Sequence, residues 1–276
     1  PLSDGAGEIV EVGEGVTRVQ IGERVATLLT PNWLAGAPDK AKLLASLGAT
    51  MDGVLAEYIL LSEQSLVRVP SHLSDEEAAT LPCAALTAWS ALITQGRLKP
   101  GNTVLVQGTG GVSLFALQFA KMAGARVIIT SSSDEKLARA RSLGADETIN
   151  YNTTPDWDKC VKELTNGIGV DHVVDVGGAG TLTPSLRAVR FGGQISLIGV
   201  LAGNSTKVNL VPILMQNIRI QGVTIGNREM FEEMNNAIAL HRLKPVVDRV
   251  FAFDDAREAF LYMASGAHFG KVCIHF

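Results

Sequence analysis

A glycine-rich turn stands between two apolar segments of different periodicity. TVLVQG, at residues 103–108, is a short apolar run typical of a buried strand, and the segment from residue 112 repeats its apolar residues at helical spacing. In that context Gly108 permits a tight turn, and Gly110 lets the backbone approach a pyrophosphate at the positive end of the helix. Gly111 follows, and Ser113 replaces the third glycine of the G-x-G-x-x-G pattern. The alternative is an ordinary glycine-rich turn, which the strand–helix alternations downstream make the weaker interpretation.

The end of the second predicted strand bears on which dinucleotide would bind. NAD enzymes usually place an Asp or Glu there, about 20 residues after the glycines, to accept a hydrogen bond from the ribose 2′-hydroxyl. This sequence has TSSSDEK, in which Ser131–Ser133 carry no charge to repel a 2′-phosphate and Lys136 can supply a cation. Asp134 is predicted to be the N-cap of the following helix. We therefore expect NADP(H) to be preferred over NAD(H); the alternative is that Lys136 is only solvated.

The elements that would position these residues alternate along the chain. Near-continuous apolar strands separated by ~10-residue helices predict a parallel sheet covered on both faces. The predicted segments after the glycine turn are ARVIIT, DEKLARARSLG, ETIN, a helix around 159–165, VDHVVDV, a helix over 181–189, QISLIGV and IRIQGVTI. Residues 5–84 instead contain short alternating runs, GEIVEVGEG, ERVATLL and AEYILLS, which predict a β-rich unit. From about residue 227 the pattern is mixed, with two helices and two strands.

Composition restricts the class of protein and its partners. The chain has 276 residues, of which 46% are hydrophobic and 19% charged, as in an ordinary globular protein. Its net charge is −4, with Lys and Arg spread through every segment, so we expect neither nucleic acid nor a membrane as partner. No apolar stretch reaches the ~20 residues of a membrane-spanning helix. Because Pro1 is followed by neither a charged nor an apolar leader segment, we expect a cytoplasmic protein.

Cysteine and histidine spacings give no metal-binding motif. Cys83, Cys160 and Cys273 are odd in number and far apart, which favours reduced thiols. The five histidines show neither H-x-x-x-H nor H-E-x-x-H spacing. We therefore expect no metal cluster encoded by neighbouring residues.

The order of these parts resembles the medium-chain dehydrogenase/reductase superfamily along essentially the whole chain. The segments that carry the resemblance are DGAGEIVEVGEGV, IGERV, DGVLAEY, LPCAALTAW, GTGGVS, SLGADETINY and FGKVCI. They are most similar to zinc-independent alcohol dehydrogenase-like and quinone oxidoreductase-like members. The resemblance implies an α/β fold in which a Rossmann domain, a doubly wound parallel sheet at residues 86–223, is inserted into a chaperonin-10-like β-rich catalytic domain. That catalytic domain would comprise residues 1–85 and 224–276.

The resemblance also implies a set of cofactor-binding residues. Thr87 would contact the nicotinamide, and Ser131, Lys136 and Tyr151 the adenosine end, although Tyr151 could simply be a packed aromatic residue. The implied pyrophosphate residues are Gly108, Thr109, Gly110, Gly111 and Val112. Residues that end later strands, where ligands of an open α/β sheet bind, are Val176, Gly177, Gly199 and Val200. The remaining implied residues are Thr224, Ile225, Gly226 and Lys271.

Zinc ligands of the family are missing from this sequence. In zinc-containing relatives Gly-His-Glu precedes GAG and the His binds the catalytic zinc, whereas here Leu2, Ser3 and Asp4 hold those places. Cys83 falls at another ligand position, but one thiolate cannot hold a zinc that needs three protein ligands. The segment that would carry the structural zinc has no cysteine and has Trp33 at the first ligand place. We therefore expect no zinc, and Cys83 is interpreted as a small buried residue beside the nicotinamide.

The activity implied by the resemblance is hydride transfer between a nicotinamide and a small-molecule carbonyl, alcohol, quinone or enone, without a metal. Leu29, Trp33 and Tyr58 are candidate pocket walls, the alternative being that they only pack. The relatives' first active-site segment precedes the part that this sequence matches, so we assign no proton donor. Two other hypotheses stay open: a nucleotide-binding redox sensor or structural protein without turnover, and a zinc alcohol dehydrogenase.

A homodimer is also expected. The segment VNLVPILMQNIRIQGV, residues 208–223, predicts a helix followed by the last Rossmann strand. An exposed edge of that strand could pair with a second copy across a two-fold axis, as the relatives do.

Overall fold

The chain separates into two units in the computed structural model, which describes residues 1–276. One unit is Pro1–Leu86 together with Ile225–Phe276, and the other is Thr87–Thr224. The limits predicted from the sequence, between residues 85 and 86 and between 223 and 224, each differ from these by one residue. The second unit is therefore a continuous insertion in the sequence of the first.

Three short antiparallel strands form a sheet in the first unit. They lie in the order β1 (Ala6–Glu8), β2 (Arg24–Thr27) and β3 (Leu66–Arg68). Two short helices, α1 (Lys40–Leu44) and α2 (Asp75–Ala79), belong to the same part of the chain. Helix α2 begins with a capping box, because the Ser74 and Glu77 side chains each accept a hydrogen bond from the other residue's backbone N–H.

The strand predicted from AEYILLS is wrong. Residues 56–62 form no strand, and the side chains of Tyr58 and Leu60 are 75% and 99% exposed. An alternating apolar pattern stabilises a strand only where a neighbouring strand and a core face receive it. The three-stranded sheet ends at β1 and β3, and neither strand pairs with this segment.

The hydrogen bonding of the helical segment at residues 81–94 changes along its length. Leu81–Ala85 and Ser90–Thr94 are π-helical, and α3 (Leu86–Trp89) lies between them. Such turns are rare and occur frequently at functional sites. Most side chains of the segment are buried, including the hydroxyls of Thr87 and Ser90.

Six parallel strands form the sheet of the second unit, in the order β6-β5-β4-β7-β8-β9. The strands are β4 (Thr103–Gln107), β5 (Arg126–Ser131), β6 (Glu147–Asn150), β7 (Val170–Asp175), β8 (Val189–Leu197) and β9 (Arg219–Gly222). The helices between them are α4 (Gly111–Met122), α5 (Asp134–Ser142), α6 (Trp157–Leu164), α7 (Leu182–Ala188) and α8 (Val211–Met215). The predicted doubly wound parallel sheet is confirmed.

Apolar strand residues explain why this sheet is buried. Leu105, Ile128, Val173 and Ile195 come from four different strands, and each is 0% exposed. Helix residues such as Val161 of α6 pack against the same cluster. The sheet is parallel because each strand reaches the next through a covering helix.

The chain returns to the first unit after β9. Helix α9 (Arg228–His241) is followed by β10 (Val247–Ala252), α10 (Ala256–Ala264) and β11 (Lys271–His275). Strands β10 and β11 pair in parallel, as the two terminal strands predicted from the sequence. None of the helices is both long and apolar enough to span a bilayer.

His172 is a buried imidazole on the central strand β7. Its side chain is 7% exposed, and Nδ1 has no hydrogen-bond partner. Burial lowers the pKa of His172; the carboxylate of Asp171 opposes this effect, and the cations of Arg190 and Arg219 add to it. The native state therefore favours the neutral imidazole.

We predict that His172 makes the protein less stable in mild acid. Above the unfolded pKa of about 6.5 the imidazole is neutral in both states, and between that pKa and the lower native pKa the unfolded state binds more protons. The free energy of unfolding should fall by up to about 1.4 kcal/mol per pH unit from this group. Denaturant titrations from pH 7 to pH 5 should give a shallower pH dependence for His172→Gln than for wild type. The exposed His241→Gln is the control, and equal slopes for all three proteins would contradict the prediction.

Candidate dinucleotide-binding site

The carboxyl ends of the parallel strands meet at one edge of the second unit. Strands β5 and β6 are added on one side of β4, whereas β7, β8 and β9 are added on the other. The loops that follow β4 and β7 therefore leave the sheet in opposite directions. Such a switch point opens a crevice at the carboxyl edge, where open α/β sheets bind their ligands.

The glycine-rich loop after β4 lies at this switch point. Gly108 has a φ of +74°, a left-handed conformation that disfavours any side chain. Helix α4 begins at Gly111, one residue before Val112, and no side chain caps it at Gly110. The first backbone N–H groups of a helix have no intrahelical partner, so those of α4 can bind an anion. A Cβ placed on Gly110 would meet no atom within 4 Å, which leaves open space above the loop.

Ser113 has a structural role in place of the third glycine. Its side chain is 2% exposed, and its Oγ donates a 2.7 Å hydrogen bond to the carbonyl oxygen of Gln107. This bond joins the first turn of α4 to the last residue of β4. Thr109 is also buried, at 7% exposure. The loop therefore offers backbone groups to a ligand, as the glycine pattern predicts.

The serines after β5 are arranged differently from the sequence prediction. Ser133 is the N-cap of α5, since its Oγ accepts a hydrogen bond from the backbone N–H of Lys136 at 3.3 Å. The prediction that Asp134 caps this helix is wrong. Asp134 is the first helical residue, and its carboxylate accepts a 2.8 Å hydrogen bond from Asn150. A serine directly before the Asp competes for the cap, and the backbone of Ser133 is extended as an N-cap requires.

Ser131, Lys136 and Tyr151 all lie in segments at the carboxyl ends of β5 and β6. Ser131 is the last residue of β5, and its carbonyl oxygen accepts a 3.0 Å hydrogen bond from the Tyr151 backbone. The Tyr151 side chain is 41% exposed, so it is not a core residue. Lys136 is half-buried in the first turn of α5.

Loops after β7 and β8 bond to each other at the same edge. Leu201 and Ala202 donate backbone hydrogen bonds to the carbonyl oxygens of Val176 and Gly177, at 3.2 and 2.8 Å. Gly199 needs to be small, because a Cβ there would lie 2.5 Å from the Val176 carbonyl oxygen. The structure therefore brings together four predicted residues, which are Val176, Gly177, Gly199 and Val200.

Two residues of this edge, Gly178 and Asp175, were missed by the sequence analysis. Gly178 has a φ of +76°, and a Cβ there would meet the Gly199 carbonyl oxygen at 2.9 Å. Asp175 is completely buried, and its carboxylate accepts hydrogen bonds from the loop after β7 and from Gln107. The only signal in the sequence is an aspartate that ends an otherwise apolar strand.

Four predicted residues lie at the boundaries of the two units: Thr87 and Thr224 belong to the second unit, and Ile225 and Gly226 belong to the first. In the second unit the Thr87 hydroxyl lies 3.5 Å from the Thr224 carbonyl oxygen, to which it donates. In the first unit Ile225 is 3% exposed, and a Cβ on Gly226 would lie 2.7 Å from Leu86. Gly226 is therefore required for close packing.

The candidate pocket walls occupy dissimilar environments in the first unit. Trp33 is 2% exposed, and its indole N–H donates to the Gly36 carbonyl oxygen at 2.9 Å. Leu29 and Cys83 are half-buried, and Tyr58 is exposed. Trp33 is therefore a buried packing residue and does not line an open pocket.

Three polar side chains interact at Ser3, the position where the resemblance places the zinc-binding histidine. Ser3 donates a 2.7 Å hydrogen bond to one carboxylate oxygen of Asp4, and the Lys271 ammonium lies 3.4 Å from the other. No group of three His, Cys, Asp or Glu side chains in residues 1–276 is placed to hold a metal ion. The arrangement around Ser3 is that of a hydroxyl, a carboxylate and an ammonium.

The second unit fits a dinucleotide. The uncapped N–H groups at the start of α4 can donate hydrogen bonds to a pyrophosphate, and the open space at Gly110 leaves room for it. Serine hydroxyls follow β5, where the adenosine ribose would lie. The first half of the sheet, β4 to β6, would therefore hold the adenosine half. By the symmetry of the two-half fold, β7 to β9 would hold the nicotinamide half.

Comparisons with known proteins place the chain among similar families. A model of the alcohol dehydrogenase GroES-like domain matches residues 1–71, and one of zinc-binding dehydrogenases matches residues 111–240. A zinc-type alcohol dehydrogenase-like protein of Schizosaccharomyces pombe is 47% identical over 99% of this chain and 81% of its own length.

Solved structures show the same similarity. An NAD-dependent alcohol dehydrogenase superposes with a TM-score of 0.89 at 35% identity, over 99% of this chain and 82% of that one. The 2-octenoyl-CoA carboxylase reductase CinF, in complex with NADP and 2-octenoyl-CoA, gives 0.87 at 27% identity, over 99% of this chain and 67% of that one.

Proposed function

This chain belongs to the medium-chain dehydrogenase/reductase superfamily as an alcohol dehydrogenase-like oxidoreductase, and we propose that it is an NADP(H)-preferring enzyme that works without zinc. It would transfer a hydride between the nicotinamide and a small carbonyl, alcohol, quinone or enone. The observation that carries this proposal is the open, uncapped glycine loop at the switch point of a six-stranded parallel sheet.

The protein's share of the reaction is binding, orientation and exclusion of water. The bound cofactor supplies the hydride chemistry. Backbone N–H groups from Gly111 onward hold the pyrophosphate, while the loops after β7 and β8, which bond to each other, present a fixed surface to the nicotinamide half. Thr87 and Thr224 add a hydroxyl and a carbonyl to this end.

The preference for NADP(H) is supported by the charges at the end of β5. Ser131 stands where an NAD enzyme would carry a carboxylate, and Lys136 is in the first turn of α5, which also carries Glu135. The Asp134 carboxylate in the same turn is engaged by Asn150. Of the two similar structures above, one is named NAD-dependent and the other holds NADP, so the family allows either cofactor.

The proposal of zinc independence is supported by the ligands available. Ser3 holds the place of a zinc-binding histidine by resemblance, its hydroxyl is committed to Asp4, and Cys83 alone cannot replace three ligands. The similar fungal protein is named zinc-type, which favours the alternative of a zinc alcohol dehydrogenase.

The proposed dimer is supported by the apolar edge of the second unit. Strand β9 pairs only with β8, so its other edge is open. The adjoining helix α8 has no buried residue, and its Leu214 and Met215 are 76% and 67% exposed. We propose that a second copy of this chain covers both features.

We predict that the protein oxidises NADPH in the presence of a quinone, an enone or an aldehyde, and that a chelator does not reduce the rate. Absorbance at the NADPH band measures turnover, and elemental analysis of the same sample should find no stoichiometric zinc. About one zinc per chain, with activity lost to the chelator, supports the zinc alternative. Tight NADPH binding without turnover on any acceptor supports a sensor or structural protein.

We predict that Lys136→Ala weakens NADPH binding roughly 10- to 150-fold, since a hydrogen bond to a charged group contributes ~1.5–3 kcal/mol. NADH binding should hardly change. Ser131→Asp should weaken NADPH and strengthen NADH, because it repels the phosphate and accepts from the ribose hydroxyl. Fluorescence titrations of both cofactors measure these effects, with Lys99→Ala, at the opposite edge of the sheet before β4, as the control. Equal wild-type affinities for NADH and NADPH, unchanged in Lys136→Ala, would refute the assignment.

We predict a dimeric mass by light scattering at micromolar concentration. Leu214→Lys should shift the mass towards the monomer, because it places a charge in the proposed interface while leaving the core unchanged. The matched control is Leu240→Lys, an equally exposed leucine on α9 of the other unit. A monomeric wild type, or the same mass for both variants, counts against the interface.

A further inference from the structure

Asp175 is a buried carboxylate at the switch point of the sheet. It is the last residue of β7, it is 0% exposed, and Lys, Arg and His side chains form no salt bridge with it. One oxygen accepts hydrogen bonds from the backbone N–H groups of Gly177 and Gly178, at 3.1 and 3.0 Å, and from the Thr181 hydroxyl at 2.6 Å. The other accepts from the Ser185 hydroxyl at 2.7 Å and from the Gln107 amide at 3.4 Å.

These contacts fit the ionised form of the carboxyl group. All five contacting groups donate, and an ionised carboxylate is an acceptor only. Burying a charge is costly unless it is paired or hydrogen-bonded. Here the hydrogen bonds come from neutral groups, so the negative charge is stabilised without being neutralised.

The same carboxylate connects the loops on both sides of the switch point. Its two backbone contacts fix the loop at 176–181, which in turn accepts backbone hydrogen bonds from Leu201 and Ala202 of the loop after β8. On the other side, Gln107 ends β4, and its carbonyl oxygen binds Ser113 of the glycine loop. Asp175 therefore lies between the part of the edge assigned to the pyrophosphate and the part assigned to the nicotinamide.

A negative charge at this place would distinguish the two redox forms of the cofactor. The oxidised nicotinamide ring carries a positive charge and the reduced ring carries none. A nearby charge in a site of low effective dielectric, where no cation compensates it, attracts the oxidised ring. The hydrogen bonds of Asp175 to the loops would act on both forms alike, because both share the same ribose and phosphates.

We propose that Asp175 is a positioning residue for the nicotinamide half of the dinucleotide, and that its buried charge strengthens binding of the oxidised cofactor relative to the reduced one. This inference rests on the proposed function. It assigns to Asp175 two separable effects: one comes from its hydrogen bonds and the other from its charge.

The test measures the dissociation constants of NADP⁺ and NADPH for wild type and three variants. Asp175→Asn removes the charge, and the ratio of the NADP⁺ constant to the NADPH constant should rise about fivefold or more. Ser185→Ala removes one donor and keeps the charge, so both constants should rise together and the ratio should stay within about twofold. A general loss of structure would not change this ratio selectively.

Gln107→Lys provides a second test of the charge that does not alter Asp175. The Gln107 side-chain oxygen has no hydrogen-bond partner, so replacing the amide by an ammonium loses no acceptor in use. An ammonium there would neutralise the carboxylate and should raise the ratio in the same direction as Asp175→Asn. If Asp175→Asn does not fold, the ratio measured for Gln107→Lys alone tests the role of the charge.

An unchanged ratio in Gln107→Lys, and in Asp175→Asn where it folds, overturns the role of the charge. Unchanged NADPH affinity in Ser185→Ala overturns the role of the hydrogen bonds. Failure of the wild type to bind either cofactor instead overturns the proposed function, and with it this inference. Normal wild-type binding with an unchanged ratio refutes the role of the charge and leaves the proposed function standing.

Discussion

The pairing of β4 with β7 is the contact on which the arrangement of the second unit depends. Strands β4, β5 and β6 follow one another outward in one direction, and β7 starts again at the centre, beside β4. Parallel strands joined by covering helices can be added on either side of a first strand, and the change of side separates the two central loops. Val104, Leu105 and Val106 face three residues of β7 in register. Packing at the centre of the sheet thus fixes where a ligand crevice opens.

Short polar side chains at this edge form hydrogen bonds with backbone N–H and C=O groups, whereas the N–H groups of the glycine loop stay available to a ligand. Ser113 binds the carbonyl oxygen that ends β4, Ser133 caps α5, and Asp175 binds two backbone N–H groups after β7. Each of these contacts gives a backbone polar group of the edge a hydrogen-bond partner. By contrast, the N-terminus of α4 has a glycine at the cap and no side-chain acceptor. The loop that would hold the pyrophosphate therefore has no side-chain cap of its own.

Local pattern predicted most of the second unit, since its strands are short apolar runs and its helices have clear periodicity. The glycine loop was predicted because Gly108 to Ser113 form a contiguous motif between a strand and a helix. Prediction was less accurate where the deciding contact joins residues distant in sequence, or where two neighbouring residues suit the same role equally well. Ser133 and Asp134 are both good caps, and only the backbone conformation decides between them. The run AEYILLS has strand periodicity, but a strand also needs a neighbour, which sequence alone does not supply. Asp175 meets Gln107 across 68 residues, so no local pattern reveals the pair.

Binding of a dinucleotide at the glycine loop after β4 can be tested with a single variant, Gly110→Asp. Gly110 has an extended backbone, and its Cβ would meet open space, so this variant should fold like the wild type while its carboxylate repels the pyrophosphate. Gly7→Asp, another glycine with open space, is the matched control in the other unit. We predict that NADPH binds Gly110→Asp at least about 100-fold more weakly than wild type, with thermal unfolding no lower than wild type because aspartate is a good N-cap, and that Gly7→Asp binds normally. Wild-type NADPH affinity in a folded Gly110→Asp would show that the cofactor does not bind at this loop.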